Sequence, residues 1–207
     1  GFSELAGTDD RAEDARELPA GETVTGTILT LPATGSATAA EDEDHYRFAV
    51  PASPAVPHET LVTLTYPSSI GSLLLDGENL ALVSRGGAPD TTAATYRTLA
   101  DAGATVRLAV AGGSGQDGVY RLSRAESAPA APTVAISSPA DGASVCAGEA
   151  FTAQATATYG AFPGFTVPSA AIAWTEGTTA LGVGAARSVT LAAGAHTLTA
   201  SAYGGSD

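Results

Sequence analysis

Apolar and polar residues alternate along most of this chain in short runs separated by turn-forming residues. In His45–Val50 (HYRFAV), Tyr46, Phe48 and Val50 fall on one face of an extended strand, and His45, Arg47 and Ala49 on the other. Comparable runs at Thr23–Leu29, Thr60–Tyr66, Gly71–Leu75, Ala81–Ser84, Ala94–Leu99, Thr105–Ala111 and Gly118–Ser123 recur roughly every 8–12 residues, the rhythm of a β-sandwich. Tyr66, Tyr96 and Tyr120 join Tyr46 at alternating strand positions and are expected in the core. Asp76-Gly77 predicts a hairpin turn, and Asp101-Ala102-Gly103 supplies a position of positive φ. Residues 1–22 are acidic and turn-rich, with room for one short helical turn around Ala12–Arg16.

A Pro/Ala segment, SAPAAP at 127–132, reads as a semi-extended linker, and composition shifts across it. Six further short strands follow. Trp174 sits in one of them with Ile172 on the same face, the natural anchor of a small sandwich core. Cys146 reads as a small buried hydrophobe at the start of a strand. The fold class is therefore all-β: two β-sandwich domains, one spanning 1–126 and a smaller one spanning 133–207.

Composition narrows the function. Hydrophobic residues make up 44% of the 207 positions, but much of that is Ala and Val, with 5 Phe, 1 Trp and no Met. Such side chains fill thin sheet-on-sheet cores. The net charge is −13 and all nine basic residues are Arg, so nucleic-acid binding, which needs clustered Lys and Arg, is not expected. The absence of Lys removes Schiff-base chemistry and Lys–Asn crosslinks. Asn79, the only Asn, precedes Leu80-Ala81 and forms no glycosylation acceptor. Residues 1–126 hold 18 acidic and 8 basic groups, so a cation site belongs in the first half. One cysteine cannot form an internal disulfide, which fits a bacterial or archaeal exoprotein better than a eukaryotic one. No apolar run is long enough to predict a membrane span. The expected location is secreted, extracellular or on the cell surface, with any export signal already removed.

Three stretches in the first half carry a family resemblance. Asp9-Asp10 followed by Ala15-Arg16-Glu17-Leu18 echoes an opening Asn-Asp-x5-Ala-x-x-Leu element. Asp42-Glu43-Asp44-His45-Tyr46-Arg47-Phe48 matches an Asp-x-Asp-Tyr-Tyr-x-Phe strand. Ala102–Val110 and Gly118-Val119-Tyr120-Arg121-Leu122 match a closing pattern of the type Ala-Gly-Thr-Tyr-x-x-x-Val and Gly-x-Tyr-x-Leu. With LLLDGENLALVS between them, residues 8–124 resemble the bacterial pre-peptidase C-terminal (PPC) domain, a jelly-roll-like sandwich attached to secreted peptidases. Residues 132–203, through PTVAISSPADGASV and Ala195–Ala200, resemble bacterial immunoglobulin-like (Ig-like) repeats. Such repeats end with a strand after the segment matching HTLTASAY. The second domain is thus expected to lack its last strand, either as a fragment of a longer polypeptide or with an open sheet edge.

Two sites follow. The resemblance implies structural calcium held by Asp9, Asp10, Asp42 and Asp44. Four carboxylates around EDED repel one another unless a cation or solvent screens them, and a solvated acidic loop is the alternative. The family's ligand Glu aligns with Gly7, and its Asn with Asp9. In YGAFPGFTVP, Tyr159, Phe162 and Phe165 either form a ligand-binding patch at a sandwich end, or plug the end of a small core or pack on the first domain. No nucleophile–base pair is apparent: GGSGQD at 112–117 lacks the second Gly of a nucleophile elbow and reads as a hairpin tip. The expected function is a non-catalytic accessory or binding region of a secreted protein, such as a peptidase, with an extracellular protein or polysaccharide as partner. The alternative is a structural or adhesive fibre subunit that self-associates through an open sheet edge.

Overall fold

The computed structural model describes residues 12–28, 43–53, 55–112, 117–127 and 131–207. It divides into two compact units, Gly1–Pro129 and Ala130–Asp207, and both are built of strands joined by turns and a few short 3₁₀ segments. All eight strands expected in the first unit are present. The alternation that predicted them buries one face of most; Leu80–Gly86 is the exception, with no buried residue.

The strands of unit 1 are β1 (Arg16–Glu17), β2 (Thr23–Ile28), β3 (Glu43–Ala49), β4 (His58–Pro67), β5 (Leu73–Gly77), β6 (Leu80–Gly86), β7 (Thr91–Ala100), β8 (Thr105–Gly112) and β9 (Gly118–Ser127). They form a four-stranded sheet ordered β1-β3-β8-β5 and a five-stranded sheet ordered β2-β9-β4-β7-β6. One core lies between them. Tyr46, Phe48, Leu73, Leu75, Leu108 and Val110 enter it from the first sheet, and Ile28, Val62, Leu64, Tyr96, Tyr120 and Leu122 from the second.

β1 was not foreseen in the sequence, since two residues display no alternation. A 3₁₀ turn at Ala12–Asp14 precedes it, within the Ala12–Arg16 stretch where a short helical turn was expected. β1 then runs parallel to β3, and Leu18 N–H donates to the Arg47 carbonyl at 2.8 Å. Ala15 and Leu18 are buried, which gives the Ala-x-x-Leu spacing a physical purpose. Burial of a leucine side chain contributes about 2 kcal/mol, and here it fastens the opening segment to the sandwich.

The same segment is clasped from the other sheet. Arg124 continues the inward series of Tyr120 and Leu122. Its Nε donates to the Leu18 carbonyl at 2.6 Å, its Nη1 to Glu126 at 2.9 Å, and its guanidinium lies 4.6 Å from the centre of the Phe48 ring. A buried arginine is tolerated when its charge is paired and its donors are used.

Two turn expectations have different outcomes. Gly103 adopts φ +78° as the Asp101-Ala102-Gly103 pattern requires. The predicted Asp76-Gly77 turn, however, lies within β5, and the chain reverses at Glu78-Asn79, with Asn79 at φ 52°. Gly77 serves close packing instead: a Cβ there would stand 2.8 Å from Leu108 Cδ2 and 3.0 Å from the Arg107 carbonyl.

Unit 2 contains β10 (Thr133–Ser138), β11 (Ala150–Thr158), β12 (Ala173–Glu176), β13 (Thr179–Val183), β14 (Ala186–Thr190), β15 (Leu198–Ala202) and β16 (Gly205–Ser206). The sheets are ordered β10-β11-β14 and β13-β12-β15-β16. Trp174 and Ile172 are buried as expected, and the indole N–H donates to the Gly184 carbonyl at 2.8 Å. After HTLTASAY, where the second domain was expected to lack a further strand, the chain turns at Tyr203-Gly204, both at positive φ, and the two-residue β16 pairs antiparallel with β15. The Asp207 carboxylate accepts the Ile136 N–H of β10 at 2.6 Å. Cys146 differs from expectation: it is exposed, in the turn-rich segment between β10 and β11 where no sheet covers it.

Candidate functional site

The Asp-rich strand start contains a buried polar chain. Asp44 has the same parity as Tyr46 and Phe48, so β3 turns it inward, and it is buried. Tyr120 donates its hydroxyl hydrogen to Asp44 Oδ2. The two tyrosine oxygens lie 2.7 Å apart, so the Tyr46 hydroxyl donates to that of Tyr120. The rings meet edge to face, with centroids 6.4 Å apart. Burial first, then the proximity of Tyr46 and Asp44, raises the Tyr120 pKa far above its ordinary value and keeps the phenol protonated.

Gly26 makes room for this pair. It lies opposite Tyr120 in the β2–β9 register. A Cβ at Gly26 would stand 2.2 Å from Tyr120 Cζ and Oη and 2.6 Å from Tyr46 Oη. Displacing well-packed rings in this way costs about 1–3 kcal/mol.

Of the four carboxylates assigned to calcium, Asp9, Asp10 and Asp42 lie outside the described residues. Asp44 commits one oxygen to Tyr120. Among the described residues, no group of three or more His, Cys, Asp or Glu side chains stands close enough to hold a metal ion.

The aromatic loop of unit 2 folds inward. Tyr159 and Phe162 are buried, and Phe165 is half-buried, packing edge to face on Tyr159 at 5.6 Å. Successive turns, Phe162 N–H to the Tyr159 carbonyl and Phe165 N–H to the Phe162 carbonyl, hold the loop in place. Two of the three rings are therefore buried, and Phe165 is covered in part by Tyr159. Burial raises the Tyr159 pKa, and its hydroxyl has no hydrogen-bond partner among the described residues.

The exposed apolar surface lies elsewhere. Leu74 (57% exposed) lies in β5, and Leu82 (54%) and Val83 (44%) lie in β6, consecutive strands that belong to different sheets; Val119, Val145 and Val183 are exposed singly on other elements. β5 and β6 are both edge strands, and Arg85 reaches from β6 toward the Leu73 carbonyl of β5 at 3.5 Å. Sequence reasoning missed this surface, because an edge is a property of strand order, and alternation does not reveal order.

In unit 2, His196 sits between two acceptors: Nδ1 contacts a Glu176 carboxylate oxygen, and Nε2 contacts the Ala192 carbonyl at 3.0 Å. Both contacts are satisfied together only by the doubly protonated ring. The Glu176 hydrogen bond, then the Ala192 carbonyl, raise its pKa above the ordinary value.

Among solved structures, the chain is similar, at 20% identity and a TM-score of 0.33, to the crystal structure of the pre-peptidase C-terminal domain of collagenase from Bacillus anthracis; the likeness covers 53% of this chain and 93% of that one. No family model matches the chain, and no curated protein does. Among the described residues, no helix is long and apolar enough to cross a membrane.

The His196 contacts have a pH signature. Because the folded-state pKa is raised, their stabilisation is complete below the unfolded value of about 6.5 and is lost as pH rises through the folded value. His196→Gln is expected to lower the melting temperature of unit 2 at pH 6 and to leave it nearly unchanged at pH 9, as followed by Trp174 fluorescence. A gap of equal size at both pH values would refute this.

Proposed function

We propose that this chain is a non-catalytic accessory region of a secreted bacterial protein, an exoenzyme such as a peptidase, with a PPC-like sandwich followed by an Ig-like one. One observation carries the reading most of the way. The stretches that resemble the PPC pattern lie far apart in sequence, yet they meet in one core. The Asp42–Phe48 stretch supplies Asp44, Tyr46 and Phe48 from β3, and Gly118–Leu122 supplies Tyr120 and Leu122 from β9. Ala15 and Leu18 of the opening element are buried against the same sandwich. The motif residues are thus placed where they build a fold, and their polar groups bind one another.

In unit 2, the first, second and fifth strands form one sheet, and the fourth, third, sixth and seventh form the other. This supports an Ig-like arrangement in which the fourth strand has joined the third. Such a module suits spacing and display.

The test starts from the secreted polypeptide that contains this chain. Its intact mass is expected to lie far above the 20.3 kDa of these 207 residues and to include a catalytic domain. Deleting the region should leave turnover of a small chromogenic substrate nearly unchanged while lowering the rate on an insoluble protein. A secreted mass near 20.3 kDa would contradict the reading, as would equal loss on both substrates.

Calcium enters the proposal as a structural ion held by Asp9, Asp10, Asp42 and the second carboxylate oxygen of Asp44. Its contribution would be to screen the repulsion of these carboxylates. At an extracellular-module affinity near 10⁻⁴ M, millimolar calcium adds about 1.4 kcal/mol. Calorimetry with and without calcium is expected to show this gain in the native protein and to lose it in Asp42→Asn. An unchanged melting temperature in the native protein would remove calcium from the proposal.

A further inference from the structure

We propose that the free side of β6 receives an extended polypeptide segment as an added strand, one with alternating apolar side chains and a carboxylate opposite Arg85. The inference rests on the accessory reading only for the source of that segment, a stretch of the substrate protein.

β6 is an outer strand of the five-stranded sheet, and among the described residues it pairs only with β7. Unpaired backbone N–H and C=O groups along such an edge are a template for another strand. All five residues from Leu82 to Gly86 are exposed. Leu82 lies opposite Tyr96, a core residue, so its side chain belongs to the core-facing side of the sheet. It is nevertheless 54% exposed, because the facing sheet ends at β5. A strand laid along β6 would cover Leu82 on that side. Apolar side chains at alternate positions of the incoming strand would face the same way.

Charge selects the occupant. In a chain of net charge −13, no carboxylate occurs between Glu78 and Asp90, and Arg85 is the only charged residue of that stretch. Its register partner is Ala94, which places it on the same side as Leu82, at the mouth between the sheets. Only one of its five donors is directed at the Leu73 carbonyl. A carboxylate on the incoming strand matches the remainder.

A second copy of this chain fits less well. Antiparallel self-pairing centred on Val83 would set Arg85 opposite Ala81, with no carboxylate to meet it, while bringing two strongly acidic chains together. The register also shifts between Leu82 and Ser84, a bulge at Val83. Bulges bend an edge and work against extended sheet-to-sheet pairing, whereas a short flexible peptide can follow the bend.

The experiment uses the full chain and a fluorescein-labelled heptapeptide, Thr-Val-Thr-Glu-Thr-Val-Thr, whose glutamate shares a face with the valines, followed by fluorescence anisotropy. Saturable binding is expected, weakened about tenfold or more by Leu82→Glu and by Arg85→Glu. Replacing the peptide glutamate by lysine should reverse the preference, so that Arg85→Glu binds the lysine peptide better than the native chain does. Val119→Glu, at an exposed apolar position away from this edge, should bind like the native chain, and melting curves confirm that each variant is folded. Three results would overturn the proposal: no saturable binding, equal binding by native chain and both edge variants, or a concentration-dependent dimer abolished by Leu82→Glu in place of peptide binding. The assay contains no peptidase, so its failure leaves the accessory reading to the deletion experiment.

Discussion

A hydrogen-bond relay of three side chains, from Tyr46 through Tyr120 to the Asp44 carboxylate, is the constraint around which unit 1 is arranged. A carboxylate removed from water is costly unless its oxygens are used, and an unpaired phenol in a core carries a similar penalty. The relay offsets both at once, and it does so across the sandwich, since Asp44 and Tyr46 come from one sheet and Tyr120 from the other. Two sheets that slid by one register position would lose it. Non-directional packing of Leu and Val would tolerate such a slip far better, so the relay selects one alignment among many that bury similar area. Gly26 is part of the same device, because no larger residue leaves space for the two rings.

The opposite end of the β3–β9 contact uses charge differently. Arg124 stacks on Phe48 while donating to the Leu18 carbonyl, so the opening segment, β3 and β9 are tied together there. The polar groups at both ends of this contact point inward and are consumed by the fold. Where β5 and β6 part company, Leu82 and Val83 are exposed, and Arg85 reaches across to the Leu73 carbonyl.

Most of the strands were legible from alternation alone, because a half-buried sheet imposes a period of two on its residues. The same period implied that Asp44 faces inward with Tyr46, but its place in the acidic run EDED masks this, and charge suggested a solvated loop. Arg124 is a similar case, a charged residue at a core parity. β1 was too short to display a period. The turn after β5 falls two residues beyond Asp76-Gly77 because Gly77 is required for packing on Leu108 and Asn79 can take the positive φ. Tyr159 and Phe162 lie in a Pro- and Gly-rich loop that composition places at the surface, yet its turns fold their rings onto the core. The outer position of β6 was not legible at all, since strand order depends on long-range pairing.

The relay is tested most directly by a double-mutant cycle on Tyr120→Phe and Asp44→Ala, with unfolding by urea as the measurement. Each variant alone is expected to destabilise unit 1, and the pair to cost less than the sum, with a coupling of about 1 kcal/mol or more. Two costs that add to within about 0.3 kcal/mol would mean that Tyr120 and Asp44 act independently, and would contradict the relay's role in aligning the two sheets.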